Sequence, residues 1–181
     1  MASALRVAVP GNPTDRLSAL FDAHYDRLYR LARRMVPTVD DALDLVQETF
    51  LKAARSPGSV PLGSGGAEAW LVRVLINIRR DQWRRTRVRW RHEGELTRSA
   101  SLGADPERVL MARALVWRAL DVLTPRRRAV LVMHELEGLA VPAIASLLGV
   151  SAITVRWHLS RGRRDLARVL GPGIGSGGRD R

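Results

Sequence analysis

Positions of one helical face recur at steps of three and four along most of the chain. Between Leu17 and Met35 they fall at Leu17, Leu20, Phe21, His24, Leu28, Leu31 and Met35, the spacing of a helix with one buried side. Pro37 ends this segment. Thr38, with Asp41 three residues on, resembles a capping box. It opens a second helix to about Arg55, with Leu43, Val46, Phe50 and Ala54 inward. Residues 56–66, SPGSVPLGSGG, have the composition of a loop. A third helix is predicted from about Ala67 to Thr86, with Trp70, Leu71, Val74 and Ile78 inward. Residues 92–106, HEGELTRSASLGADP, turn polar and lose the period, as a linker does. The helical pattern resumes at Glu107, pauses at Thr124-Pro125 and continues to Leu170. No segment reads as a strand. The expected fold is all-α. Two small helical domains, at 15–91 and 107–170, are joined by a flexible linker and flanked by flexible tails at 1–14 and 171–181.

One pattern inside the second domain goes beyond fold class. VPAIASLLGVSAITVRWHLSRGRRDLAR, residues 141–168, sets an apolar-stepped helix, a short turn at Gly149-Val150-Ser151 and a basic helix in succession. That is the helix-turn-helix pattern, whose second helix docks in the DNA major groove. At 100° per residue, Val155, Leu159, Gly162 and Leu166 share one side. Ile153, Trp157, Ser160 and Arg164 lie opposite, flanked by Arg156 and Arg161, with His158 towards the flank. A solvated basic surface is the plainer reading of the same helix; the turn and the composition favour DNA.

Charge points the same way. The 181 residues carry 30 Lys and Arg against 18 Asp and Glu, a net +12, which suits a polyanionic partner. All the basic residues but Lys52 are Arg, whose planar fork pairs bidentately with phosphate and guanine. Codon bias in a GC-rich genome is an alternative explanation for the preference for Arg but not for its clustering. Between Arg73 and Arg91 stand eight Arg and a single acid, Asp81. Arg73, Asn77, Arg80 and Arg84 share a face there. Trp83 and Trp90 are interleaved with the arginines, either as stacking platforms for unpaired bases or as core; Trp70 reads as core.

The second helix has the opposite sign. Asp40, Asp41, Asp44 and Glu48 fall within nine residues, and Asp41, Asp44, Leu45 and Glu48 form a stripe with Gln47 beside it. Such a stripe repels phosphate. It is either a solvated face or the contact for a basic protein.

Catalytic readings find little support. Cysteine is absent, so disulfides, thiolate metal sites and cysteine nucleophiles are excluded. GSGG at 63–66 lacks the lysine of a phosphate loop, and His134-Glu135 lacks the second histidine of a zinc motif. The four histidines have no partners at ligand spacing, so no metal and no cofactor is expected. No apolar run approaches the roughly 18 residues of a membrane span. The N-terminal sequence lacks the pattern of a secretory signal. The expected location is the cytoplasm, without membrane insertion.

These segments together resemble the extracytoplasmic-function (ECF) sigma factors, the promoter-recognition subunits of bacterial RNA polymerase. DALDLVQETFLKA at 41–53 looks like the polymerase-binding segment of that family. AWLVRVLINIRRDQWRR at 69–85 looks like its helix for promoter melting and −10 reading. DPERVL at 105–110 looks like the start of its C-terminal domain, and residues 123–166 look like its −35-binding half. The resemblance implies that Asp41, Asp44, Gln47 and Glu48 bind the clamp of the polymerase's largest subunit. It implies that Asn77, beside Arg73, Arg80 and Arg84, reads the −10 element, and that the loop 56–66 pockets a flipped base. It places Arg156, Trp157, His158, Ser160 and Arg161 at −35-reading positions, with Arg164 on the same outward face. It also admits an anti-sigma factor as a partner. Fifteen linker residues reach at most about 50 Å, so two tethered domains of some width can span elements roughly 17 base pairs, or about 58 Å, apart.

The chain departs from the family pattern in places. Leu43 stands for a frequent acid, Ile153 for a common Gly, Trp157-His158 for a common Ser-Arg, and Ala140 and Pro142 for a usual Ser cap and Glu. An atypical −35 element is therefore expected, with Trp157 either on a thymine methyl or sugar backbone, or folded back on Pro142. A free-standing helix-turn-helix regulator explains the C-terminal half alone. An RNA-binding adaptor is a rival of another class.

Overall fold

The computed structural model describes residues 13–93 and 116–170. Residues 1–12 and 171–181 of the expected tails, residues 94–106 of the expected linker, residues 107–115 at the start of the expected second domain and the side chain of Trp90 lie outside the described residues, while Pro13 and Thr14, expected in the tail, belong to the first helix. Within them the structure is helical and holds no strand. The helices are α1 (Pro13–Met35), α2 (Val39–Arg55), α3 (Ser64–Glu93), α4 (116–121), α5 (Pro125–Leu131), α6 (Val141–Leu148) and α7 (Ala152–Leu170). The chain divides into two compact units, Met1–Leu75 and Ile76–Arg181, so the division falls within α3.

In the first unit α1 packs against α2. Thr38 caps α2: its hydroxyl accepts from the Asp41 amide at 3.0 Å and donates to the Asp41 carboxylate at 2.6 Å. Half of a capping box is therefore present, worth about 1 kcal/mol to a helix start. The buried side of α2 is Ala42, Leu45, Val46, Thr49, Phe50 and Ala53. Leu43 and Ala54, expected inward, are exposed, and Leu45, expected in the acidic stripe, is buried. Small residues explain the rotation. Ala42, Thr49 and Ala53 let α1 and α2 approach, and the Thr49 hydroxyl is satisfied within the helix by donating to the Leu45 carbonyl at 2.8 Å.

The expected loop 56–66 contains a short 3-10 turn, Pro57–Ser59. α3 begins at Ser64 and runs to Glu93, longer at both ends than the pattern suggested. Ala67, Leu71, Val72, Leu75 and Ile76 are its buried residues, while Trp70, Val74 and Ile78 are half-buried. Arg27 of α1 and Glu68 of α3 form an ion pair. The Arg16 guanidinium donates to the Val60 carbonyl at 2.8 Å, tying α1 to the loop.

In the second unit α5 packs against α7, and so does α6. Between α5 and α6 the chain makes a π-helical turn, Val132–Leu136. The Glu137 amide bonds the Val132 carbonyl at 3.1 Å, and the Leu139 amide bonds the Met133 carbonyl at 2.9 Å. His134 and Glu135, adjacent in sequence, have separate structural partners. His134 Nδ1 lies 3.0 Å from the Leu139 carbonyl, and Glu135 takes two bonds from Arg163 of α7, at 2.6 and 2.9 Å.

Ala140 opens α6 without a side-chain cap. The helix ends at Gly149, whose φ of 65° and ψ of 41° are the left-handed conformation that glycine adopts without steric cost. The Val150 amide closes that end on the Ala145 carbonyl at 3.0 Å. Ser151 then caps α7, accepting from the Thr154 amide at 3.1 Å. The chain bends by 106° between α6 and α7. At Gly162 α7 comes close to α5: a β-carbon there would lie 2.7 Å from Leu131 Cδ1.

Candidate functional site

Three surfaces carry the residues singled out by sequence, and each lies on a single helix. On α2, Asp40, Asp41, Asp44, Gln47 and Glu48 are all exposed. Leu43 at 41% and Leu51 at 44% exposure stand along their edge. With Gln47 and Ala54, and with Leu17, Phe21 and Tyr25 of α1, these two leucines line an open, mostly apolar groove of about 310 Å³. Aromatic rings form its floor. Phe21 stacks on Tyr25 at 4.7 Å and meets Phe50 at 4.8 Å. The acidic stripe is therefore bordered by apolar surface.

On α3, Asn77 and Arg84 are exposed, and Arg73 and Arg80 are half-buried. Arg80 Nε lies 3.5 Å from Asp81. Trp83 is half-buried with the Arg87 guanidinium 5.0 Å over its ring, so one face of the indole already has a cation.

On α7 the outward face is as the helical period predicts. Ile153 is 76% and Trp157 52% exposed, with Arg156, Ser160 and Arg164 also exposed and Arg161 half-buried. The Arg164 side chain folds along Ser160, donating to its carbonyl at 3.3 Å. His158 is the exception: it is buried to 9% exposure. Three residues on from Val155 it shares the α7 flank that holds Gly162 and Asp165, all of them buried. Its Nδ1 finds no hydrogen-bond partner among the described residues. Burial, then the charges of Arg126 and Arg127, push the imidazole below its ordinary pKa.

Behind this face lies a cluster that sequence reasoning missed. Asp165, buried, takes a 2.9 Å hydrogen bond from Arg127 of α5 on one carboxylate oxygen. Its other oxygen lies 3.9 Å from Arg161 and 3.7 Å from Arg168. The Arg127 guanidinium also lies 5.2 Å over the Trp157 ring, and the His158 ring meets Trp157 edge-on at 4.9 Å. The next residue, Arg128, is buried over Trp117 at 4.3 Å and lies 3.7 Å from Asp121. Burial lowers its pKa to about 10 against the opposing pull of Asp121. One sequence signal pointed to Asp165: it is the single acid among Arg161, Arg163, Arg164 and Arg168, and it falls on the inward flank.

Two family models match the chain, Sigma-70 region 2 over residues 20–89 and Sigma-70 region 4 over 113–166. The ECF RNA polymerase sigma factor SigM of Mycobacterium tuberculosis is 33% identical over 152 residues, covering 84% of this chain and 76% of the relative. The chain belongs to the ECF RNA polymerase sigma factors. The ECF RNA polymerase sigma factor SigE of Mycolicibacterium smegmatis is 38% identical over 153 residues, or 81% of this chain, and the match spans 58% of that longer relative. Among solved structures, CnrH in complex with the cytosolic domain of CnrY matches with a TM-score of 0.55 and 26% identity, covering 88% of this chain and 90% of that one.

Sigma factors bind core polymerase and direct promoter recognition, and they are not enzymes. The region 2 match takes in α2, the loop and nearly all of α3; the region 4 match takes in α5, α6 and most of α7. A free-standing helix-turn-helix regulator leaves the first of these matches unexplained. Among the described residues no single helix is long and apolar enough to cross a membrane.

Proposed function

We propose that this sigma factor uses its three surfaces for three tasks in initiation in the cytoplasm. The exposed face of α2, with Asp41, Asp44, Gln47 and Glu48, docks on the clamp of the polymerase's largest subunit. Leu43 and Leu51 extend that contact with apolar area, which strengthens an interface more than rim charges do. The outward face of α3 takes the −10 element, Asn77 reading a base while Arg73, Arg80 and Arg84 hold phosphates. α6 and α7 form a helix-turn-helix: their 106° bend lies within the roughly 90–120° of that motif. α7 reads the −35 element through Arg156, Trp157, Ser160, Arg161 and Arg164. His158, buried behind the ring of Trp157, supports this face rather than touching bases.

The observation that carries this reading is the sign of the exposed α2 face. In a chain of net charge +12, four exposed carboxylates on one helix disfavour DNA there and suit a basic protein surface. Exchanging Asp44→Arg together with Glu48→Arg tests it. Both side chains are exposed, so the melting temperature is expected to change little. Co-purification with core polymerase is expected to be lost. An unimpaired complex removes this face from the interface.

A further inference from the structure

The Trp157 indole is held by the side chains around it. An indole that is half exposed on a helix surface has several rotamers open to it. Here it has two neighbours, the Arg127 guanidinium 5.2 Å over its ring and the His158 ring in a T-shaped contact at 4.9 Å. Arg127 is not itself free to wander. Its Nη1 is bonded to Asp165 at 2.9 Å, and Asp165 is buried, so this charge-assisted bond is shielded from solvent. The remaining oxygen of Asp165 faces Arg161 and Arg168, leaving one oxygen to Arg127. The Nε of Arg127 is buried and finds no hydrogen-bond partner among the described residues. A guanidinium that gives up a hydrogen bond while stacked on an indole is held by the stack as well as by the carboxylate.

We propose that Arg127 is a positioning residue for −35 recognition. Anchored on Asp165, it fixes the Trp157 indole at half exposure on the outward face of α7. The inference rests on the reading of α7 as the −35 helix and adds a determinant on α5, a helix away from the reading face. The physical requirement is specific to arginine. Lysine keeps the charge and the reach to Asp165 but has no plane to lay on the ring. Asparagine at 165 keeps the shape but not the charge that holds Arg127.

The test uses holoenzyme reconstituted from the full chain and core polymerase, initiating on a set of promoters varied at each −35 position. Trp157→Ala is expected to relax base preference at one position. Arg127→Lys and Asp165→Asn are each expected to relax preference at that same position by roughly two- to fivefold, the value of a cation–aromatic contact at an exposed site. The Arg127→Lys/Trp157→Ala double variant is expected to be no more relaxed than Trp157→Ala alone, since both act through one ring. If Trp157→Ala relaxes preference and the other two single variants do not, the positioning role fails while the reading of α7 stands. If Arg127→Lys weakens all promoters alike, Arg127 is a phosphate contact or a purely structural residue, and the inference is again overturned. If Trp157→Ala leaves preference unchanged, both the inference and the role of Trp157 in base reading fall.

Discussion

Protonating His158 would set a cation in a buried position beside Arg126 and Arg127. That arrangement lowers the pKa of the ring in the fold, through burial first and the two arginines second. In the unfolded chain the ring titrates near its ordinary 6.5. Above 6.5 neither state holds the proton, and the histidine adds no pH dependence. Below 6.5 the unfolded chain takes it up while the folded chain does not, so unfolding gains free energy as pH falls. The loss grows until pH reaches the lowered native value and is constant below it. Stability of the wild-type chain relative to His158→Gln is therefore expected to decline between pH 7.5 and pH 5 in thermal unfolding. The comparison cancels the carboxylates, which titrate in both proteins. A wild-type chain that gains on the variant as pH falls would show that the ring is charged in the fold. The same burial keeps His158 off the exposed face of α7, where the family resemblance had suggested it.

Among the elements, α7 was the most legible in sequence and α2 the least. On α7 a helical period sets the buried Val155, Leu159 and Gly162 apart from the exposed Arg156, Ser160 and Arg164, and it also puts the apolar Ile153 and Trp157 outward. Only the inward flank, with a histidine and an aspartate, departs from the apolar pattern. Sequence reasoning expects such groups outside unless it knows that α5 brings arginines to meet them. On α2 large apolar residues stand on both sides. Leu43 and Leu51 are exposed while Ala42, Thr49 and Ala53 are buried, because the closeness of α1 rewards small side chains. A count of large hydrophobics therefore turns the helix the wrong way. α3 was legible as a helix but not in extent, since an arginine-rich segment has no apolar period to mark its end. In the proposed reading its residues divide by type. Asn77→Ala is expected to change base preference at the −10 element, because an amide that bonds a base edge carries sequence information. Arg84→Ala is expected to weaken binding on every −10 variant alike, as loss of a phosphate contact does. Equal losses from both variants on all sequences would contradict that division.

Over the chain as a whole, the charge is divided between helices. The net +12 is concentrated in the arginines of α3 and of the α5 and α7 helices, while α2 keeps an exposed acidic face. A protein that only bound DNA would have no use for that face, and one that only bound polymerase would have none for the arginines of α7. The region 2 and region 4 matches fall on these two parts of the chain in that order. Arginine–phosphate contacts of the kind proposed make DNA binding salt-dependent, so promoter selectivity has to be compared at one ionic strength. In the proposed reading both faces act together in one initiation complex. The most direct measurement is run-off transcription with purified core polymerase, with and without this chain, on the DNA upstream of its own gene. The account predicts a discrete transcript that requires the chain and is lost with Asp44→Arg/Glu48→Arg. Tight binding of the chain alone to that DNA, with no transcript when core polymerase is supplied, would contradict it.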